Sequence, residues 1–388
     1  MASTSTMEIP KKNKAAVYDK PGTISTKVVE LEVPEPGPGE VLVNLYDLLS
    51  LPFSLYLGIS TSPLTHPNYR THSGVCHSDM GIMLNSWKSL PFPTQAGQVG
   101  GHEGVGKIVK MGPGTEGTAV KLGQRVGIKW MAGICEACEA CRAGFDANCF
   151  NGKISGYYTP GTFQQYVVSP ANYVTPIPDG LDSAAAAPLL CAGVTVYSAL
   201  RKSGAEAGNF VVISGAGGGL GHIAVQFAAR AIGNRVIGID HSSKKDIVLE
   251  SGAEHFIPID GTPDIEAAVK ALTNGLGAHA VLVIAGNNAA YASSVALLRF
   301  GGRVVCVGIP EGEPVPIKGA FPGLIAVKEV QIVGSAVGNR KEAIDTLDFA
   351  ARGIVKTHYR VEKMEKLTEV FGEMERQGVK GRVVLDLS

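Results

Sequence analysis

The sequence predicts an α/β chain in two unlike parts, a β-rich first domain and a second domain wound around a parallel sheet. From about residue 195, short apolar runs alternate with helical stretches of about ten to fifteen residues, the pattern of βαβ units. Before that point, short β-prone runs are punctuated by Pro and Gly, as in EPGPGE and MGPGTEG. Glycine, 49 of 388 residues, is at roughly double ordinary usage and predicts many tight turns and close backbone approaches. A chain of this length holds two domains and a sizeable core.

In the first part, residues 14–18, 41–45 and 104–109 read as strands. Residues 46–72 differ in texture. They carry almost no charge, show little periodicity, and are broken by prolines at 52, 63 and 67. In the second part NFVVIS (209–214) is a buried-strand run, HIAVQFAARAIG a helix and RVIGID (235–240) the next strand. IVLESGAE and SVALLRFGG continue as helices, AHAVLVIAG and RVVCVGIP as strands, and 328–334 closes the series. A helix over 340–352 and a last strand, GRVVLDLS, follow. The expected domains are 1–194, 195–334, and a C-terminal segment, 335–388, returning to the first.

Charge and composition exclude several classes. Lys plus Arg and Asp plus Glu are both 35, so nothing in the balance favours nucleic acid or an acidic membrane. The start, MASTSTMEIPKKNK, has neither an apolar h-region nor arginine, and fits no secretory or transit signal. The apolar run 45–59 is interrupted by Asp47 and Pro52 and falls short of the about 20 residues a span needs. A cytoplasmic protein is expected. Of seven cysteines, four lie within 135–149, which suits metal binding in a reducing compartment better than disulfides.

Those four, Cys135, Cys138, Cys141 and Cys149 in CEACEACRAGFDANC, can close a tetrahedral thiolate shell around zinc with no open position. The rival is iron–sulfur, but a ferredoxin run continues C-x3-C-P, whereas here the fourth cysteine comes after seven residues. GVCHSD, GGHEGVG and LLCAG supply Cys76, His102 and Cys191, two sulfurs and one nitrogen. That set leaves a fourth position open, as in catalytic zinc sites. Taken singly, Cys191 reads as core and His102 as a loop histidine, and spacing does not join them. After NFVVIS come Gly215, Gly218, Gly219 and Gly221, a strand–turn–helix context that lets backbone N–H groups approach a pyrophosphate. Asp240 ends the next strand, 19 residues past Gly221, where a carboxylate accepts ribose hydroxyls and repels a 2′-phosphate, favouring NAD. His241, Lys244 and Lys245 beside it weaken that preference.

With these motifs in place, and with RVGIKW, SGYYTPGTFQQY, VGNR and GRVV, the sequence resembles the zinc-dependent medium-chain alcohol dehydrogenases, especially the fungal cytosolic ethanol dehydrogenases of yeast type. The resemblance spans nearly the whole chain outside residues 46–72. It implies a GroES-like catalytic domain, a Rossmann domain, two zinc ions per chain, NAD, a small alcohol or aldehyde substrate and a homotetramer. It implies catalytic zinc at Cys76, His102 and Cys191, with Glu103 as a neighbour or transient fourth ligand, and structural zinc at the four clustered cysteines. Ser78 would bond the substrate oxygen and start proton release, and Asp79 would orient His102. His77 would meet the pyrophosphate, and Asp240 and Lys245 the adenosine ribose. Leu220 joins the glycines of the turn, and Thr195, Val307, Ile309, Ser335, Val337 and Arg382 would line the cofactor cleft. Trp87 and Trp130 would wall a pocket for short alcohols, although either alone reads as core.

Gly81 stands where such enzymes often carry a relay histidine, so protons are expected to leave by water or a ribose hydroxyl. Two rivals remain: an NADPH-dependent reductase of bulkier aldehydes, and a zinc- and cofactor-binding protein without useful activity. The second draws on residues 46–72. Such a loop is longer than compact domains usually tolerate, and its apolar side chains are costly at a surface. A lid, an interface segment and translated intron sequence all account for it; the lack of turn chemistry favours the intron.

Overall fold

The apolar runs of the second half become strands covered on both faces. In the computed structural model, which describes residues 9–46, 71–88 and 90–388, Phe210–Ser214, Arg235–Asp240, His255–Pro258, Ala278–Val283, Leu298–Cys306 and Gln331–Gly334 form one parallel sheet. Numbered along the chain, these strands lie in the order 3-2-1-4-5-6, the doubly wound Rossmann arrangement. Successive side chains go to opposite faces. Val211 and Ile213 pack with Val196, Ile223 and Phe227 on one side; Val212, Val281 and Val283 pack with Val269, Tyr291 and Val295 on the other.

Two expectations for this sheet need correction. The helix expected over 222–233 begins as Gly221–Gln226 but widens into a π-turn over Phe227–Ile232, closed by Gly233 in the left-handed region. SVALLRFGG is not one helix. Asn287 caps the helix Asn288–Ser294 through its side chain, and Leu298 already opens the strand that runs to Cys306. The helix start was set by a capping side chain several residues upstream of the apolar run.

A second sheet is built from both ends of the chain. Glu40–Asn44, His72–Val75, Gly104–Met111, Arg125–Ile128, Tyr166–Pro170 and Thr175–Pro176 are joined by Tyr359–Lys363 and Arg382–Asp386. The last strand lies between Tyr359–Lys363, parallel to it, and His72–Val75, antiparallel to it. Asn339 and Glu342 form a capping box for the helix Arg340–Ala351, which packs on Ala192–Ser203. His72, read from sequence as the end of the patternless segment, instead opens its strand, buried and paired with Asp386 and Val105. Residues 47–70 lie outside the described residues. Among the described residues no single helix is long and apolar enough to cross a membrane; the bent pair Ser183–Leu190 and Ala192–Ser203 meets the test by composition, and its side chains belong to the core.

The last strand is expected to carry disproportionate stability. Leu385 has no exposed surface and packs in the core of the first domain. Leu385→Ala is expected to cost about 2–5 kcal/mol, read as a lower denaturant midpoint. A midpoint within error of the parent counts against a central role for this strand.

Candidate metal and cofactor site

The strand His72–Val75 delivers Cys76 to the start of the helix His77–Leu84. Asp79 works in two directions there. Its Oδ2 accepts the Cys76 backbone N–H at 2.9 Å, and its Oδ1 lies 2.8 Å from His102 Nδ1, with both side chains fully buried. A carboxylate on Nδ1 leaves Nε2 as the free ring nitrogen, and Nε2 lies 3.2 Å from Cys191 Sγ. Cys191 precedes the helix Ala192–Ser203. One ligand atom from each of Cys76, His102, Glu103 and Cys191 falls within a 4.8 Å cluster, as does one from each of Cys135, Cys138, Cys141 and Cys149.

Both clusters fit tetrahedral zinc. Zinc–sulfur and zinc–nitrogen bond lengths put neighbouring ligands about 3.6 Å apart for N and S and about 3.8 Å for two sulfurs. Cys138–Cys141 and Cys149–Cys135 are each 3.5 Å apart, and Cys135–Cys141 4.0 Å. The backbone N–H groups of Ala137 and Cys138 hold the Cys135 thiol down to about 6, toward the thiolate a metal requires. Burial pushes Cys141 up to about 12. At the other cluster, hydrogen bonding to the Cys191 thiol, then to His102, holds Cys76 well below the usual thiol range, while Cys191 is raised by the same contact.

Glu103 belongs to the same cluster and is also ion-paired with Arg382, and its Oε1 lies 4.0 Å from His102 Nε2. Its Oε2 is buried without a hydrogen-bond partner, as is Arg382 Nε. Burial pushes the Glu103 carboxyl up to about 7, against the pull of Arg382. Expected at the cofactor cleft, Arg382 thus also touches the metal cluster, and it packs against Gly219 of the glycine turn. No local signal could reveal this pair, whose members are 279 residues apart.

The glycine turn is tight. Gly215 has a φ of +83°, and a Cβ on Gly221 would collide with the Gly215 and Ala216 backbone. Asp240 Oδ2 accepts the Gly217 N–H at 2.8 Å and Oδ1 the His241 N–H at 2.7 Å, tying the turn to the strand end. Lys245 is exposed, and Lys244 donates to the Val379 carbonyl. Val307 and Ile309 follow Leu298–Cys306, and Ser335 and Val337 follow Gln331–Gly334. All four therefore sit beyond the carboxyl ends of parallel strands, where doubly wound sheets bind ligands. Ser335 accepts from Lys202. Val337 has a φ of 37°, which a β-branched residue avoids unless its surroundings impose it. Gly218 and Leu220 lie within the turn, and Thr195 is buried in the helix after Cys191.

Ser78 Oγ lies 3.6 Å from Cys76 Sγ. His77 Nε2 instead meets Glu311 at 3.1 Å, and Ser86 donates to the same carboxylate oxygen. Sequence reasoning missed Glu311, which nothing marked. Trp130 stands edge-on to the His102 ring at 4.9 Å, and Trp87 lies 5.8 Å from Trp130, so the two indoles occupy one side of the metal cluster. A Cβ on Gly81 would lie 3.0 Å from Trp87 Nε1, so the indole fills the space a side chain at 81 would need.

Two family descriptions match the chain: an alcohol dehydrogenase GroES-like domain over residues 70–179, and a zinc-binding dehydrogenase over 219–352. Alcohol dehydrogenase 2 of Emericella nidulans is 60% identical, over 98% of this chain and 99% of its own. An alcohol dehydrogenase of Schizosaccharomyces pombe is 38% identical over 98% and 100%. Among solved structures, the alcohol dehydrogenase of Aeropyrum pernix superposes with a TM-score of 0.80 at 27% identity, covering 96% of this chain and 99% of its own. Acetophenone reductase of Geotrichum candidum, in complex with NAD, gives 0.79 at 26% identity, with 98% of each chain covered. Matched in both halves, and related along nearly its full length to fungal enzymes, the chain belongs to the zinc-binding medium-chain alcohol dehydrogenases that use NAD.

Proposed function

We propose that this alcohol dehydrogenase interconverts a short primary alcohol such as ethanol with its aldehyde, using zinc held by Cys76, His102 and Cys191. The observation that carries the substrate class is the pair of indoles, Trp130 edge-on to the His102 ring and Trp87 against Trp130. Bound at Cys76, His102 and Cys191, the metal would supply Lewis acidity toward the alcohol oxygen, and NAD would supply the hydride acceptor. The chain supplies the rest. Asp79 locks His102 in one tautomer and orientation. The Ser78 hydroxyl, beside Cys76, takes the alcohol proton. His77 must exchange Glu311 for the cofactor pyrophosphate, and Asp240 and Lys245 hold the adenosine ribose. Arg382 pairs with Glu103 beside the metal position, where Glu103 serves as a neighbour or transient fourth ligand.

Ethanol oxidation with NAD is the direct test. With residues 47–70 removed the chain is expected to turn over ethanol, and Cys76→Ser is expected to abolish turnover and lower bound zinc from two to one per chain, as two ligand clusters require. Two zincs in the parent without ethanol oxidation would show a binding protein. We take the segment read at 46–72, short of the strand residue His72, as translated intron sequence, so messenger RNA carrying these codons in most transcripts would refute that part.

Trp87 closes the helix side of the pocket at Gly81, leaving Ser78 the cofactor ribose as its route for the proton. Gly81→His is therefore expected to displace the indole. The preference for ethanol over butanol should fall about tenfold, the scale of a lost apolar wall, and the pH–rate profile should shift. An unchanged ethanol-to-butanol ratio would show that Trp87 does not bound the pocket.

The protein is further proposed to be cytoplasmic and homotetrameric. Among the described residues, Gln331–Gly334 has a strand on one side only, and Ile332, Val327, Phe321 and Phe300 are exposed on it and on neighbouring elements. A bare edge beside apolar surface favours pairing with another copy. Light scattering is expected to give four chains per particle; a monomer rejects this assembly.

A further inference from the structure

Beyond Asp240, a second carboxylate closes the adenosine end of the cofactor site. Asp240 and Asp260 follow adjacent parallel strands; Asp240 is paired with Pro258, and its carbonyl accepts the Ile259 N–H at 2.9 Å. The loop 241–243 runs between the two carboxylates. Asp260 Oδ1 accepts the Ser242 backbone N–H at 2.7 Å, and Oδ2 accepts the Ser242 hydroxyl at 2.6 Å. His241 Nε2 lies 3.3 Å from the same Oδ2. His241 Nδ1 accepts the Ser243 N–H at 3.3 Å, so in the neutral ring the proton is on Nε2, facing Asp260.

A backbone N–H and a hydroxyl bound to one carboxylate, with an imidazole alongside, make an anion site. They stand just past Asp240, at the strand end where a ribose 2′-substituent would arrive. One anion, part of the chain itself, already fills the site. Hydrogen bonds from the Ser242 side chain, then its backbone, hold the Asp260 carboxyl below the usual range, so it is ionised at neutral pH. Lys244 is directed elsewhere, donating to the Val379 carbonyl.

We propose that Asp260 is a specificity-determining residue, which denies a 2′-phosphate its donors by occupying them and so enforces NAD over NADP. Asp240 and Asp260 divide the task. Asp240 offers oxygens to the ribose hydroxyls, while Asp260 consumes both Ser242 donors, holds the His241 ring beside it and adds a second negative charge. Specificity of this kind is achieved by a repulsive and a pre-emptive element rather than by a better contact to the chosen ligand. The proposal rests on the assignment of Asp240 to the adenosine ribose.

The test is Asp260→Asn in the full enzyme, with kcat/KM measured for NADP and NAD on the same alcohol. The NADP-to-NAD ratio is expected to rise about tenfold, through a lower KM for NADP rather than a changed kcat. Inhibition by adenosine 2′,5′-bisphosphate should tighten in parallel, and Asp260→Glu should restore the parent ratio. An unchanged ratio, or an equal loss for both cofactors, would show that Asp260 only anchors the loop and overturns the proposal. Asp240→Asn separates the two levels. If it leaves the KM for NAD unchanged, the ribose assignment falls and the proposal with it; if it raises that KM while Asp260→Asn leaves the ratio alone, only the proposal falls.

Discussion

The buried ion pair between Glu103 and Arg382 is the constraint on which the two halves of the site depend. Arg382 opens the last strand of the first domain's sheet, touches Gly219 in the cofactor turn and neutralises a carboxylate beside His102. Two charges so buried repay their desolvation only when both are in place. Removing either leaves the other uncompensated at a cost of about 3–5 kcal/mol. The pair therefore holds metal cluster, glycine turn and C-terminal strand in one register, and a shift in any of them is resisted by the other two.

Around that pair, each sheet presents what it is suited to hold. The second domain's parallel strands end together, and their turns at Gly215 and Asp240 are tight and hydrogen-bonded to each other, at the strand ends where doubly wound sheets bind ligands. The first domain contributes side chains from separate strands and one helix start, held by hydrogen bonds rather than by sequence proximity. Asp79 shows the economy of this design, since one carboxylate both caps the helix that carries Ser78 and orients the ligand histidine.

Legibility in the sequence followed distance along the chain. The four-cysteine lobe was readable because all its ligands lie in one loop, and the parallel sheet because each strand carries its own apolar run. Cys76, His102 and Cys191 became a set only through resemblance to a family, since the strands that gather them leave no periodic trace linking positions 76, 102 and 191. Three features were out of reach. His72 looks like the tail of an irregular segment because its burial comes from Asp386 and Val105, both far away in sequence. The start of the helix Asn288–Ser294 was hidden in a polar cap, and Gly81 read as a missing relay because the indole that fills its space comes from Trp87.

The place of Arg382–Asp386 in the sheet also bears on how the chain comes to be made. The carboxylate of Glu103 emerges from the ribosome 279 residues before the arginine that pairs with it, and the strand His72–Val75 earlier still. Through most of synthesis the first domain holds an open sheet edge and a buried acid with no counter-ion, and it cannot close as a unit. Domains that fold as they emerge settle from the N-terminus onward; here the second domain can finish before the first. The nascent chain thus waits on its final stretch before the first domain's sheet is complete.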